Sequence, residues 1–158
     1  VARVSVFLWF ERGAEAAVEF YRSVFEPREP VEVTRYPGQG EGPTAPVLIG
    51  SVVVGGVELK CFDGGPLRPF NEAVSLFVTC ADQAEVDRLW HALGEGGEFG
   101  RCGWLKDRFG VSWQVVPEEL GSLLGDPDPA RAARARTAML AMDRLDLAAL
   151  RAAADAPD

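Results

Sequence analysis

Apolar positions change period several times along the chain, and the changes recur in the same order. Val4 to Phe10 (VSVFLWF) is β-branched and aromatic on both parities, which predicts a strand covered on two sides. Ala14, Ala17, Val18 and Tyr21 then fall at i, i+3, i+4, i+7, the stripe of an amphipathic helix, which Pro27 and Pro30 close. Val31 to Tyr36 alternates, and Pro37 to Pro46 reads as a glycine- and proline-rich loop. Val47 to Val54 with Val57 to Phe62 reads as a hairpin across Gly55-Gly56.

After a turn-rich linker from Asp63 to Pro69, the sequence starts over. Val4-Ser5-Val6-Phe7-Leu8-Trp9-Phe10 returns as Val74-Ser75-Leu76-Phe77-Val78-Thr79-Cys80, and the helix end Phe20-Tyr21 as Leu89-Trp90. Gly56 to Phe62 (GVELKCF) returns as Gly110 to Val116 (GVSWQVV). In the second copy Ala73 to Cys80 is the opening strand. Asp82 with Glu85 starts a helix carried by Val86, Leu89, Trp90 and Leu93, Gly94 to Gly100 reads as a loose loop, and Arg101 to Lys106 with Val111 to Val116 closes a hairpin around Asp107-Arg108-Phe109-Gly110. A repeat of this kind predicts two copies of one supersecondary unit with equivalent positions facing each other, hence an α+β fold of two tandem βαβββ modules with eight strands. Module one spans 1–65 and module two 70–117. A C-terminal helical extension, 118–158, has no counterpart in module one: Asp128 and Pro129 open a helix to about Leu145, and Asp146 caps a second.

Composition narrows the partners. With 158 residues, 47% of them hydrophobic, the paired modules can bury a proper core, and a formal net charge of −8 argues against nucleic acid or an anionic membrane surface. Cys61, Cys80 and Cys102 have no metal-type spacing, and no secretory leader or long apolar run accompanies them, so a reducing cytoplasm is expected.

The stretches Phe7-Leu8-Trp9-Phe10, Glu19-Phe20-Tyr21, Phe62-Asp63-Gly64-Gly65-Pro66, Phe70-Asn71-Glu72-Ala73-Val74-Ser75 and above all Cys102 to Gln114 (CGWLKDRFGVSWQ) resemble the PhnB-like branch of the vicinal oxygen chelate superfamily, which includes glyoxalases, extradiol dioxygenases and bleomycin-resistance proteins. That branch often carries the label 3-demethylubiquinone-9 3-methyltransferase domain. The resemblance implies the fold already read from the repeat, and it implies four inward positions that in metal-dependent relatives carry His or Glu. Here they are Ser5, Lys60, Ser75 and Gln114, a set with two hydroxyls, a neutral amide and an ammonium. No metal and no cofactor are expected there.

Strand parity extends that quartet to a cavity list. Phe7 and Trp9 follow Ser5, Glu58 and Phe62 flank Lys60, Phe77 and Thr79 follow Ser75, and Ser112 precedes Gln114, with Trp104 on the neighbouring strand. An aromatic surface with a few convergent polar groups is the usual make-up of a small-molecule site. Lys60 is the one candidate for chemistry, as a Schiff-base or general-base lysine, although Glu58 on the same face can simply pair with it. The single histidine, His91, falls on a helix away from this face, so neither serine has a base to activate it. Gly94-Glu95-Gly96-Gly97 follows a helix and Gly38 to Gly42 lies between strands, so neither has the strand-to-helix context of a nucleotide-cofactor turn. The resulting expectation is a metal-independent, cytoplasmic, homodimeric protein that binds an aromatic or partly apolar small molecule. The alternatives are an enzyme of the same superfamily, a lyase or isomerase using Lys60 or the methyltransferase of the family label, and an interaction protein acting through its C-terminal helices.

Overall fold

The computed structural model describes residues 1–40, 42 and 45–157; Glu41, Pro43, Thr44 and Asp158 lie outside the described residues, so the loop expected over 37–46 is described only in part. The chain divides into two compact units, Val1–Phe70 and Asn71–Asp158.

The first unit runs β1 (Val6–Phe10), α1 (Ala14–Phe25), β2 (Glu32–Arg35), β3 (Val47–Val54) and β4 (Val57–Asp63). Its sheet has the order β1-β4-β3-β2, with β1 parallel to β4 and the other pairs antiparallel. The predicted helical stripe is the buried one: Ala14, Ala17, Val18, Tyr21 and Val24 are buried, as are Leu8, Val52, Leu59 and Cys61 of the sheet. Gly50 lets α1 approach closely, because a Cβ there would stand 2.8 Å from Val18 Cγ2. Gly55 and Gly56 have φ of 54° and 84°, as a two-residue hairpin turn requires, and they set Val54 opposite Val57. Asp63, expected in the linker, instead completes β4, where its carboxylate accepts from the Ala14 and Val47 amides, each at 2.9 Å. β1 is shorter than predicted, and within the unit only one of its faces is covered: Leu8 and Phe10 are buried, while Phe7 is 52% exposed.

In the second unit β5 (Leu76–Cys80), α2 (Gln83–Gly94), β6 (Glu98–Phe99), β7 (Trp104–Lys106) and β8 (Ser112–Pro117) repeat the plan, in the order β5-β8-β7-β6. Asp82 caps α2 by accepting from the Glu85 amide at 2.9 Å, and Val86, Leu89, Trp90 and Leu93 are buried as the spacing predicts. The stretch Gly94 to Gly100, expected as loop, contains the edge strand β6. Two residues are too few to show a period, and the flanking glycines are there for contact. A Cβ on Gly94 would lie 2.1 Å from the Phe99 ring, which stacks on Trp90 at 5.0 Å, and one on Gly97 would lie 2.1 Å from the Lys106 carbonyl oxygen. Conversely, the strand expected from Arg101 begins only at Trp104. Cys102 and Gly103 have φ of 56° and 82°, and their amides donate to the carbonyls of Met142 and Asp143.

Those two bonds also mark where the C-terminal helices depart from expectation. After α3 (Leu120–Leu124), α4 spans Pro129–Leu140 rather than continuing to Leu145, and α5 spans Leu147–Asp155. Asp128 and Asp146 cap α4 and α5 as read from the sequence. The segment between the helices is held by the second module instead. Gln83 accepts from the Leu147 amide at 2.8 Å and donates to the Leu145 carbonyl at 3.0 Å, and Arg144 pairs with Asp87. Leu145 enters a core with Val116, Leu120, Ala135 and Leu150. The tail is therefore part of the second unit. No helix of the described residues is long and apolar enough to cross a membrane.

Candidate functional site

The two parallel strand pairs put equivalent residues in equivalent registers. Phe7 stands opposite Lys60 and Trp9 opposite Phe62 in the first sheet; Phe77 stands opposite Gln114 and Thr79 opposite Val116 in the second. The alignment of Lys60 with Gln114 read from the internal repeat is the alignment of the backbones. Because side chains alternate along a strand, each sheet has a helix-covered face and an open face; the candidate residues within the strands share the open one, and Ser5 and Ser75, each just before its strand, reach it through their bonds to Glu58 and Gln114.

In the first unit that face has a polar end and an aromatic end. Glu58 is the hub of the polar end: one carboxylate oxygen accepts from Ser5 Oγ, the other from Ser51 Oγ at 2.7 Å, and Lys60 Nζ lies 3.8 Å away. The hydroxyl bonds, then the Lys60 charge, hold the Glu58 carboxyl below its usual range, so it is an ionised acceptor at neutral pH rather than a proton donor. At the aromatic end, Phe62 packs edge-on against Trp9 at 4.8 Å and tilted against Phe7 at 5.5 Å, with Tyr36 at 6.3 Å. Trp9 is fixed by donating Nε1–H to the Gly65 carbonyl at 2.9 Å, and Arg68 lies over its ring at 5.4 Å. Ser51 and Tyr36 were not expected. Ser51 was within reach of the sequence, since a two-residue hairpin at Gly55-Gly56 places it opposite Lys60; Tyr36 depends on the path of the chain after β2 and had no such signal.

In the second unit Gln114 Nε2 donates to Ser75 Oγ at 3.0 Å, Trp104 is the ladder partner of Gln114, and Ser112 that of Lys106. Phe77 is 58% exposed. Lys106, unremarked in the sequence, forms an ion pair with Glu72. His91 lies exposed on α2, and Cys102, half-buried, donates its thiol to the Met139 carbonyl at 3.4 Å. Burial pushes the Cys80 thiol up to about 11.

The donor set does not suit a divalent cation. In the first unit Lys60 brings a positive charge and Ser5 is engaged with Glu58; in the second the Ser75 oxygen already accepts from Gln114. Among the described residues no group of three or more His, Cys, Asp or Glu is placed to hold a metal ion. A hollow of about 740 Å³ in the first unit lies elsewhere, around Glu11, Arg12, Asp63 and Tyr36. Its charged groups are partly spent on structure, Asp63 on two amides and Arg35 nearby on Glu15 at 2.7 Å, and Ala45 on its wall follows an undescribed position.

Residues 2–116 match the sequence model of the family described as 3-demethylubiquinone-9 3-methyltransferase. The chain belongs to that family. The PhnB protein of Bacillus cereus is similar to it at 34% identity over 73% of this chain and 99% of that one, with a TM-score of 0.65. A Pseudomonas aeruginosa protein of known structure, 24% identical over 75% of this chain and 98% of that one, has the same fold at a TM-score of 0.63. None of the curated proteins matches. This PhnB-like chain thus has the glyoxalase/bleomycin-resistance-like fold of the vicinal oxygen chelate superfamily, with a helical extension beyond the matched residues.

Proposed function

We propose that this PhnB-like protein is a metal-independent binder of small aromatic or partly apolar molecules, held on the open sheet faces and acting as a homodimer. The observation that carries the reading is the open face of the first sheet, where Phe7, Trp9, Phe62 and Tyr36 form one aromatic cluster beside the Ser5, Ser51, Glu58, Lys60 network. Rings with a fixed polar border suit a flat ligand with one or two hydrogen-bonding groups. Lys60, close to an ionised Glu58, supports a role in binding over one in covalent chemistry. Methyl transfer, which the family's description names, calls for a nucleotide-type cofactor. The turn from β1 to α1, Glu11-Arg12-Gly13, has a single glycine, and that from β5 to α2 has none.

Titration with aromatic ligands followed by tryptophan fluorescence tests the reading. Trp9→Ala and Phe77→Ala are expected to weaken binding by about 1–3 kcal/mol through lost burial. Lys60→Met should alter affinity chiefly for anionic ligands. A reduced imine trapped at Lys60, or a turnover lost in Lys60→Met with binding retained, would overturn the binder in favour of an enzyme. One tightly held divalent ion per chain, released on mutating Gln114, would overturn metal independence, and a stable monomer in sedimentation at micromolar concentration would exclude the dimer.

A further inference from the structure

We propose that the second unit holds a distinct subsite for a small neutral aromatic molecule carrying one hydrogen-bonding oxygen, with Ser112 as the group that receives that oxygen. The inference rests on the binding reading above and narrows it. Ser112 is 2% exposed, and among the described residues its Oγ is the buried side-chain polar atom that has no hydrogen-bond partner. A buried hydroxyl left unmet carries the whole cost of its desolvation, so a native fold that keeps one calls for an account. Sequence position sharpens the point. The repeat places Ser112 where the first unit has Glu58, and Glu58 is satisfied internally by Ser5 and Ser51. In the second unit Ser75, the counterpart of Ser5, is engaged by Gln114 instead, which leaves Ser112 without that partner.

The surroundings define the chemistry. Ser112 lines a hollow of about 220 Å³ with Trp104, Lys106, Glu72, Glu98 and Phe99. Ladder pairing of Ser112 with Lys106, Lys106 with Glu98 and Trp104 with Gln114 places Ser112, Lys106, Glu98 and Trp104 on the open face with Gln114 by parity. The hollow is smaller than the roughly 300 Å³ of a typical drug-sized pocket, which suits one substituted ring. Trp104 offers that ring an aromatic wall. The charged groups at the hollow are one ammonium, Lys106, already paired with Glu72, and a second carboxylate, Glu98. An anion would have to displace Glu72 while facing Glu98, and a cation, although Glu98 would attract it, would have to sit beside the Lys106 ammonium. A neutral hydroxyl or carbonyl on Ser112 meets neither obstacle. Phenol is the simplest molecule of this class.

The test is a titration of the full ¹⁵N-labelled chain with phenol, toluene and benzoate, followed by amide and indole correlation spectra, with the indole signals assigned through Trp9→Phe and Trp104→Phe. Phenol should shift the Trp104 indole and the Ser112 amide saturably, and toluene and benzoate should bind there roughly five- to twenty-fold more weakly. Ser112→Ala should reduce phenol to the affinity of toluene and leave toluene unchanged. Because the change removes a polar atom without a partner, the variant should melt no lower than the parent. Equal binding of phenol and toluene by the parent chain overturns the proposal even if the variant fails to fold, as does an unchanged preference in Ser112→Ala. Phenol shifting the Trp9 indole alone overturns the subsite and leaves the binding reading intact; shifting neither indole overturns both.

Discussion

Replacing Asp107 by alanine should destabilise the second unit more than any exposed change, because one carboxylate there serves three donors. Asp107 is 2% exposed; Oδ1 accepts from the amides of Phe109 at 2.9 Å and Val111 at 3.1 Å, and Oδ2 accepts from Trp113 Nε1 at 2.9 Å. Val111 and Trp113 are themselves buried, at 4% and 1%, so water can reach the Phe109 amide more readily than the other two donors. Two buried donors left unmet at about 1–3 kcal/mol each give an expected loss of about 2–6 kcal/mol. That is a large part of the ~5–15 kcal/mol that holds a typical domain. Asp107→Asn keeps one acceptor oxygen but turns an NH₂ group toward an N–H donor, so it should lose roughly half as much. Urea unfolding followed by tryptophan fluorescence and circular dichroism measures both. The consequence reaches the site, since the same turn begins β8 and sets Ser112 and Gln114 in register with β7. An Asp107→Ala chain within about 1 kcal/mol of the parent, with an unchanged urea slope, would refute this reasoning.

Gly64→Ala should disturb the aromatic end of the first sheet while sparing its core. The new Cβ would lie 2.2 Å from Trp9 Cε2 and 2.4 Å from Phe62 Cε1, so an overpacking cost of about 1–3 kcal/mol and a shifted Trp9 emission are expected, and unchanged fluorescence would contradict it. Between pH 9 and about 11 the Cys80 thiol ionises in the unfolded chain but stays protonated when folded. Its contribution to stability is therefore complete below pH 9 and lost as the pH rises through about 11, and Cys80→Ala should flatten that part of a stability profile. A thiol reagent at pH 8 should accordingly label Cys102 before Cys80 or Cys61, which mass mapping of the modified chain would check. Gln83→Ala removes both bonds to the segment joining α4 to α5, so limited proteolysis should cut near Leu145 sooner than in the parent, with the sheet spared.

Much of the architecture was legible because it is written in local rules. The α1 stripe, the caps Asp82, Asp128 and Asp146, and the Gly55-Gly56 turn are set by helix period, orphan amides and backbone sterics, all within a few residues. The repeat added one long-range fact, the equivalence of Lys60 and Gln114, and parity then carried the candidate residues onto one face of each sheet. What stayed hidden depends on contacts between segments far apart in sequence. β6 exists because Glu98 and Phe99 find β7, and α4 stops at Leu140 because the next turn gives its carbonyls to Cys102 and Gly103. Asp107 has the local signature of a turn residue, and the Trp113 indole that donates to it arrives only through the fold. Ser112 looked like any serine in a cavity list, since whether a buried hydroxyl has a partner is decided by the side chains that the tertiary structure brings around it, and no spacing along the chain records that.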